Sequence, residues 1–331
     1  MKKFINNPKD VTTELLEGFA LANDDLVRLE GANIVVSRRL DSCDRVTIVT
    51  IGGSGHEPAL IGFVGEGMID VAVAGDIFTA PGADAALQGI RLADRGHGVL
   101  FIVLNHTGDR LTGNLAMEAC AREGMDVRMV VTRDDISGAP RFQADARRGL
   151  VGCIPLYKIA GAAAAEGKSL DEVAAIAQGF ADQMATLAVG LSGATHPITG
   201  VRLADFSGDD MEIGMGQHGE EGGGRQKLLT ADETALIMVK SLLRDLGIRS
   251  GEKVMLILDG TGATTLMELF IVYRRCVSFL DSQDIEITAN KIGELLTVQE
   301  AAGFQMFLAR MDDERLRLWK APCNTPYFKQ L

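Results

Sequence analysis

Aromatic side chains are scarce, at 5% of the chain with a single tryptophan, and the five cysteines (Cys43, Cys120, Cys153, Cys276, Cys323) lie far apart with no CxxC among them. An odd number of scattered thiols excludes a disulfide framework or a cysteine zinc cluster and reads as small core residues in a reducing compartment. Positive charge is also short. Lys plus Arg is 33 against 45 Asp plus Glu, a net charge of −12, which would repel a polyphosphate backbone or an anionic leaflet. No nucleic-acid or membrane role is therefore expected. No run of about 18 uncharged apolar residues could span a bilayer. The basic start at Lys2 and Lys3 meets Pro8, Lys9 and Asp10 before any signal-like apolar segment, so a cytoplasmic location is expected. Histidines at i, i+4 and the calcium-loop pattern are both missing, so no dedicated metal site is expected. A GxxxxGK[ST] phosphate loop is absent too. Its nearest approach, Gly167-Lys168-Ser169, has Ala162 where the first glycine is required.

What remains is an enzyme-like composition, 47% hydrophobic and 24% charged, in 331 residues, which suits two domains with helices packed on buried sheets. Four apolar β-rich runs, Val46 to Ile51, Ile69 to Ala74, Val99 to Leu104 and Val127 to Val131, are spaced by helix-length segments. This alternation predicts an open, largely parallel sheet. Ala83 to Asp94 and Leu111 to Glu123 have helical spacing, and Ala160 to Ala165 and Asp171 to Ala188 read as an alanine-rich helical pair. Glycines and carboxylates then crowd residues 190 to 225, placing a domain boundary near 188. The expected fold is therefore α/β, two α/β domains each a sheet flanked by helices, over 1–187 and 188–331. In the second, helices are expected at Ala231 to Leu246 and Thr264 to Leu280, with strands at Lys253 to Leu258, Ile285 to Thr288 and Phe304 to Ala309.

Gly52-Gly53-Ser54-Gly55-His56-Glu57-Pro58 directly follows an apolar strand, at the sheet edge where open α/β folds bind ligands. Its glycines let backbone N–H groups approach a ligand closely. Asn105-His106-Thr107-Gly108-Asp109 repeats the arrangement after the next run but one. Asp109 could cap the following helix, yet loops on successive strand ends should meet, which makes His56 and Asp109 a base and its orienter. Gly214-Met215-Gly216-Gln217-His218-Gly219 fits GxGxxG, but Glu220-Glu221-Gly222-Gly223-Gly224 is no helix start, so a dinucleotide site is rejected and His218 is kept as a ligand-facing histidine. Its bland alternative is a surface turn. Asp259-Gly260-Thr261-Gly262 lines a cleft or forms a simple turn.

In order and spacing, Gly53-Ser54-Gly55-His56-Glu57-Pro58, Phe63-Val64-Gly65-Glu66-Gly67-Met68, Thr107-Gly108-Asp109 and Gly216-Gln217-His218-Gly219-Glu220 resemble the K subunits of bacterial dihydroxyacetone (glycerone) kinase, nearly end to end. The resemblance implies a phosphotransferase with an alcohol acceptor. His218 would add to the carbonyl of a short-chain ketose as a hemiaminal, which excludes glycerol. His56 would act as base on the hydroxyl that receives phosphate, with Asp109 beside it, and Gly53, Ser54 and Gly55 would line the substrate. It further implies that this chain has no cofactor of its own. Mg-ADP or Mg-ATP would sit on a separate L-type subunit, recharged by a phosphotransferase system in the first case, and the K subunit would be a homodimer.

Two positions depart from the pattern: Leu104 stands where the family usually has lysine, with His106 in the next loop, and Leu258-Asp259-Gly260-Thr261-Gly262 replaces an Asn-rich turn. Losing a cation there changes pocket charge and shape. Erythrulose is an alternative substrate. A non-catalytic ketose sensor or coactivator of a transcription regulator is the alternative function, and a dinucleotide-dependent oxidoreductase a distant third.

Overall fold

The computed structural model describes residues 2–331. Two compact units are drawn from non-contiguous stretches: the first takes the chain up to Thr132, Cys153–Gly179 and Arg317–Leu331, the second Arg133–Gly152 and Phe180–Leu316. The expected cut at 187/188 falls inside a strand, Met184–Ser192. Sheets flanked by helices build both units, as the α/β expectation has it.

The first unit contains α1 (Val11–Ala22), β1 (Val27–Glu30), β2 (Ile34–Ser37), β3 (Thr47–Ser54), β4 (Val71–Ile77), α2 (Ala83–Ala93), β5 (Val99–Leu104), α3 (Thr107–Glu123), β6 (Val127–Thr132) and α4 (Cys153–Ala165); α5 (Leu170–Ala181) then leads the chain onward. The strand order is β1-β2-β4-β3-β5-β6. β4, β3, β5 and β6 are parallel, and they are the four apolar runs of the sequence. The antiparallel β1 and β2 extend the β4 edge. Alternation along the strands serves two helical layers. Val49, Ile51, Val71, Val73, Val99, Phe101 and Val103 pack with Ala86, Ile90 and Ala116 of α2 and α3. On the other side Thr50 Oγ1 lies 2.9 Å from the Tyr157 hydroxyl of the buried α4. α4 runs so close that a Cβ on Gly161 would come within 2.5 Å of Met68 Cα.

The second unit contains β7 (Met184–Ser192), β8 (Asp210–Ile213), β9 (Arg225–Lys227), α6 (Ala231–Leu246), β10 (Lys253–Gly260), α7 (Leu266–Ser282), β11 (Glu286–Gly293) and β12 (Ala302–Met311). Its order is β11-β10-β12-β7-β8-β9, with only β10 and β11 parallel. Leu187, Val189, Leu256 and Leu258 of the sheet meet Met238, Leu242, Leu269 and Val272 of α6 and α7. Thr230 and Thr265 cap those helices reciprocally with Glu233 and Glu268, and Gly247 ends α6 in the left-handed region at φ 65°.

One expectation is corrected. The helix over Asp171 to Ala188 stops at Ala181, and the next residues form β7 between β12 and β8. Residues 184–190 are buried without interruption, and pairing on both sides overrides the helical preference of alanine. Among the described residues, no helix is long and apolar enough to cross a membrane.

Asp259, at the end of β10, is completely buried. Its Oδ1 accepts N–H bonds from Leu295 (2.7 Å) and Leu296 (3.1 Å), while Oδ2 has no hydrogen-bond partner among the described residues. Burial pushes this carboxyl well above the usual range, against the pull of those two amides. A raised folded value means the native state holds the proton more tightly than the unfolded chain. The carboxyl is therefore least destabilising below the unfolded value of about 3.9, and stability is lost as pH rises toward the folded one. Asp259→Asn keeps the acceptor and removes the titration. Its melting temperature should gain on the parent's as pH rises from about 5 to about 8; a difference that stays constant with pH would show that the folded state does not hold the Asp259 proton more tightly than the unfolded chain.

Candidate functional site

In the first unit the order β4-β3-β5-β6 makes the gap between β3 and β5 a topological switch: the connection after β3 leads to β4 on one side, and that after β5 leads to β6 on the other. Ligands of open α/β sheets bind at such a crevice, outside the carboxyl ends of the strands. The segments containing His56 and Asp109 follow those two strands, which pair in parallel from Thr47 and Val99 to Ile51 and Val103.

Backbone proximity explains the glycines at the end of β3. A Cβ on Gly53 would lie 2.6 Å from the Thr79 nitrogen, and one on Gly75 of β4 would overlap the Thr79 carbonyl. Gly55 turns the chain at φ 95°, outside the comfortable range of a side-chain-bearing residue. Ser54 Oγ donates to the Gly75 carbonyl at 2.8 Å, so its hydroxyl is tied to the strand bed. The Gly55 N–H donates to both Glu57 carboxylate oxygens (3.0 and 3.1 Å). Burial pushes the Glu57 carboxyl up, opposed by those backbone bonds. His56 is 8% exposed, its ring 5.2 Å from that of Phe78. Aromatic packing thus limits where the imidazole can turn.

After β5, Asn105 donates its N–H to the Thr132 carbonyl (3.1 Å), and α3 begins at Thr107 with His106 at its N-cap. Asp109 is therefore not the cap. It occupies the first helical turn, 8% exposed, where the positive end of the helix dipole favours a carboxylate. Leu104, 6% exposed, fills the last position of β5 as an apolar sheet residue, and no cation enters from there. Gly167-Lys168-Ser169 lies between α4 and α5, where Ser169 hydroxyl and backbone N–H both donate to Glu172, an arrangement of helix starts.

In the second unit, Gly214 to Gly219 belongs to the loop joining antiparallel β8 and β9, not to a strand-to-helix turn. His218 is half-buried there. Its backbone N–H donates to Glu220 Oε2 at 2.8 Å, and its Nδ1 lies 3.5 Å from Glu220 Oε1. Burial pushes the Glu220 carboxyl up, but the His218 side chain and the loop N–H groups outweigh it and hold it at about 2. Arg148 Nη1 stands 3.9 Å from the same carboxylate. Behind the loop, Ala188, Leu203, Met215 and Gln217 help line a cavity of about 20 Å³, room for a single water. Glu220 and Arg148 are additions to the sequence reading. A carboxylate two residues after a histidine could have signalled the first; Arg148 has no local signal.

Residues 17–327 match the Dak1 domain. The chain is 35% identical to the dihydroxyacetone-binding subunit DhaK of the PTS-dependent dihydroxyacetone kinase of Lactococcus lactis, over 95% of each chain. It is 36% identical to an L-erythrulose kinase of Pectobacterium atrosepticum, covering 100% of this chain and 56% of that protein. A solved structure titled dihydroxyacetone kinase operon co-activator Dha-DhaQ superposes with a TM-score of 0.90 at 30% identity, over 96% of this chain and 98% of that one.

Proposed function

Because this chain belongs to the Dak1 domain family, we propose that it is the substrate-binding subunit of a dihydroxyacetone-kinase-type phosphotransferase, with an alcohol group as acceptor. His218 captures the carbonyl of a short-chain ketose as a hemiaminal. His56 takes the proton of the terminal hydroxyl as it attacks phosphorus, and Asp109 orients that imidazole and stabilises its protonated form. Gly53, Ser54 and Gly55 line the substrate. The phosphoryl donor is Mg-ADP or Mg-ATP on a separate L-type subunit, which suits a chain without a phosphate loop of its own. The working form is a cytoplasmic homodimer.

The observation carrying this reading is the placement of His56 and Asp109, each 8% exposed, after the two strands that flank a topological switch. It is tested by mixing the protein with an L-type subunit, magnesium, donor nucleotide and a panel containing dihydroxyacetone and erythrulose. Phosphorylated sugar is expected. The sensor or coactivator reading draws on the likeness to the co-activator structure and on Leu104 in place of a lysine. Ketose binding without turnover on any member of the panel would favour it over the kinase.

A further inference from the structure

An imidazole that adds to a carbonyl must present one nitrogen without a proton, so something has to keep the proton on the other nitrogen. Around His218 the second unit holds a chain of charged groups placed for that task. Glu220 takes the His218 backbone N–H on Oε2 and faces Nδ1 with Oε1. An ionised carboxylate only accepts, so it favours a hydrogen on Nδ1 and makes Nε2 the nitrogen without a proton. Against the effect of burial, the His218 side chain and the loop N–H groups hold the Glu220 carboxyl below its ordinary range, so it stays ionised in the neutral range.

Glu220 is itself braced. Arg148 Nη1 approaches its Oε2, Arg148 Nε donates to Asp135 Oδ2 at 2.7 Å, and Nη2 donates to Ser137 Oγ (2.8 Å) and to the Gly214 carbonyl (3.0 Å). Asp135 is 1% exposed. The segment carrying Arg148 is fixed on both flanks: Asp245 accepts from Arg147 Nη1 at 3.1 Å and Nη2 at 2.5 Å, while Asp134 accepts the N–H groups of Leu150 (2.9 Å) and Gly152 (3.0 Å). Gly216 completes the fit, because a Cβ there would overlap both Arg148 Nη1 and Glu220 Oε2.

We infer that Glu220, braced by Arg148 and Asp135, is a positioning residue that sets the tautomer and ring orientation of His218 for attack on the ketose carbonyl. The inference rests on the proposed role of His218. In the addition, the Nε2 lone pair forms the N–C bond and the carbonyl π pair moves to oxygen, which takes a proton. The ring then gives up its Nδ1 proton, so that N–H has added across C=O with water as carrier. Between these steps the ring is a cation, and Glu220 lies against it. A hydrogen bond to a charged group is commonly worth about 10-fold to 100-fold.

The test uses full-length protein with ¹⁵N-labelled histidine and dihydroxyacetone labelled with ¹³C at its carbonyl, with wild type, Glu220→Gln, Gly216→Ala, Arg148→Lys, Arg148→Met and His218→Ala compared. The wild-type spectrum should show His218 protonated at Nδ1 when neutral. Glu220→Gln should mix the tautomers and weaken formation of the hemiaminal carbon signal by about 10-fold to 100-fold. Gly216→Ala, which displaces flexible side-chain ends without removing a charge, should act in the same direction, and Arg148→Lys should retain more adduct than Arg148→Met. A wild-type ring protonated at Nε2, or an adduct as strong in Glu220→Gln as in wild type while His218→Ala has none, would overturn the inference and leave capture by His218 standing. An undiminished adduct in His218→Ala would remove both.

Discussion

His218→Ala should lose a ketose that the parent protein retains through gel filtration, with affinity falling by roughly 100-fold or more, about 2.7 kcal/mol. The residue sits half-buried in the loop between β8 and β9, outside the hydrophobic cluster that the second sheet forms with α6 and α7, so the melting temperature should hardly move. Glycerol provides the control. It offers the same hydroxyls and no carbonyl, so its weak association should be the same in both proteins. Calorimetry with dihydroxyacetone, erythrulose and glycerol measures all three, and equal ketose affinity with and without the imidazole would sink covalent capture.

His56→Ala and Asp109→Asn should have the opposite profile. Each should leave ketose retention largely intact and depress phosphoryl transfer by about 100-fold to 10,000-fold, the usual worth of a positioned general base. Both positions are 8% exposed, and each follows one of the two strands beside the switch. The two losses should also be strongly non-additive, because an imidazole and the carboxylate that orients it act as one unit. The measurement is a double-mutant cycle on turnover with the L-type partner, alongside ketose titration. If Asp109→Asn transfers phosphate at the parental rate, Asp109 serves only the start of α3.

What could be read from the chain alone is local. Val46 to Ile51 and Val99 to Leu104 announce β3 and β5 because a strand buried on both faces is apolar along most of its length, and the Gly-rich and Asn-His-Thr-Gly-Asp stretches after them mark strand ends. Thr230 and Gly247 bracket α6 for the same kind of reason, each satisfying backbone groups of its own helix. Tertiary structure decided the rest. Met184–Ser192 is a strand because β12 and β8 lie on either side of it, partners that no window around residue 188 contains. The interleaved units arise because contacts, not chain continuity, gather Arg133–Gly152 with Phe180–Leu316. Arg148 and Glu220 meet for that reason: a salt bridge depends on distance in space, and only the folded second unit brings those two side chains together behind His218.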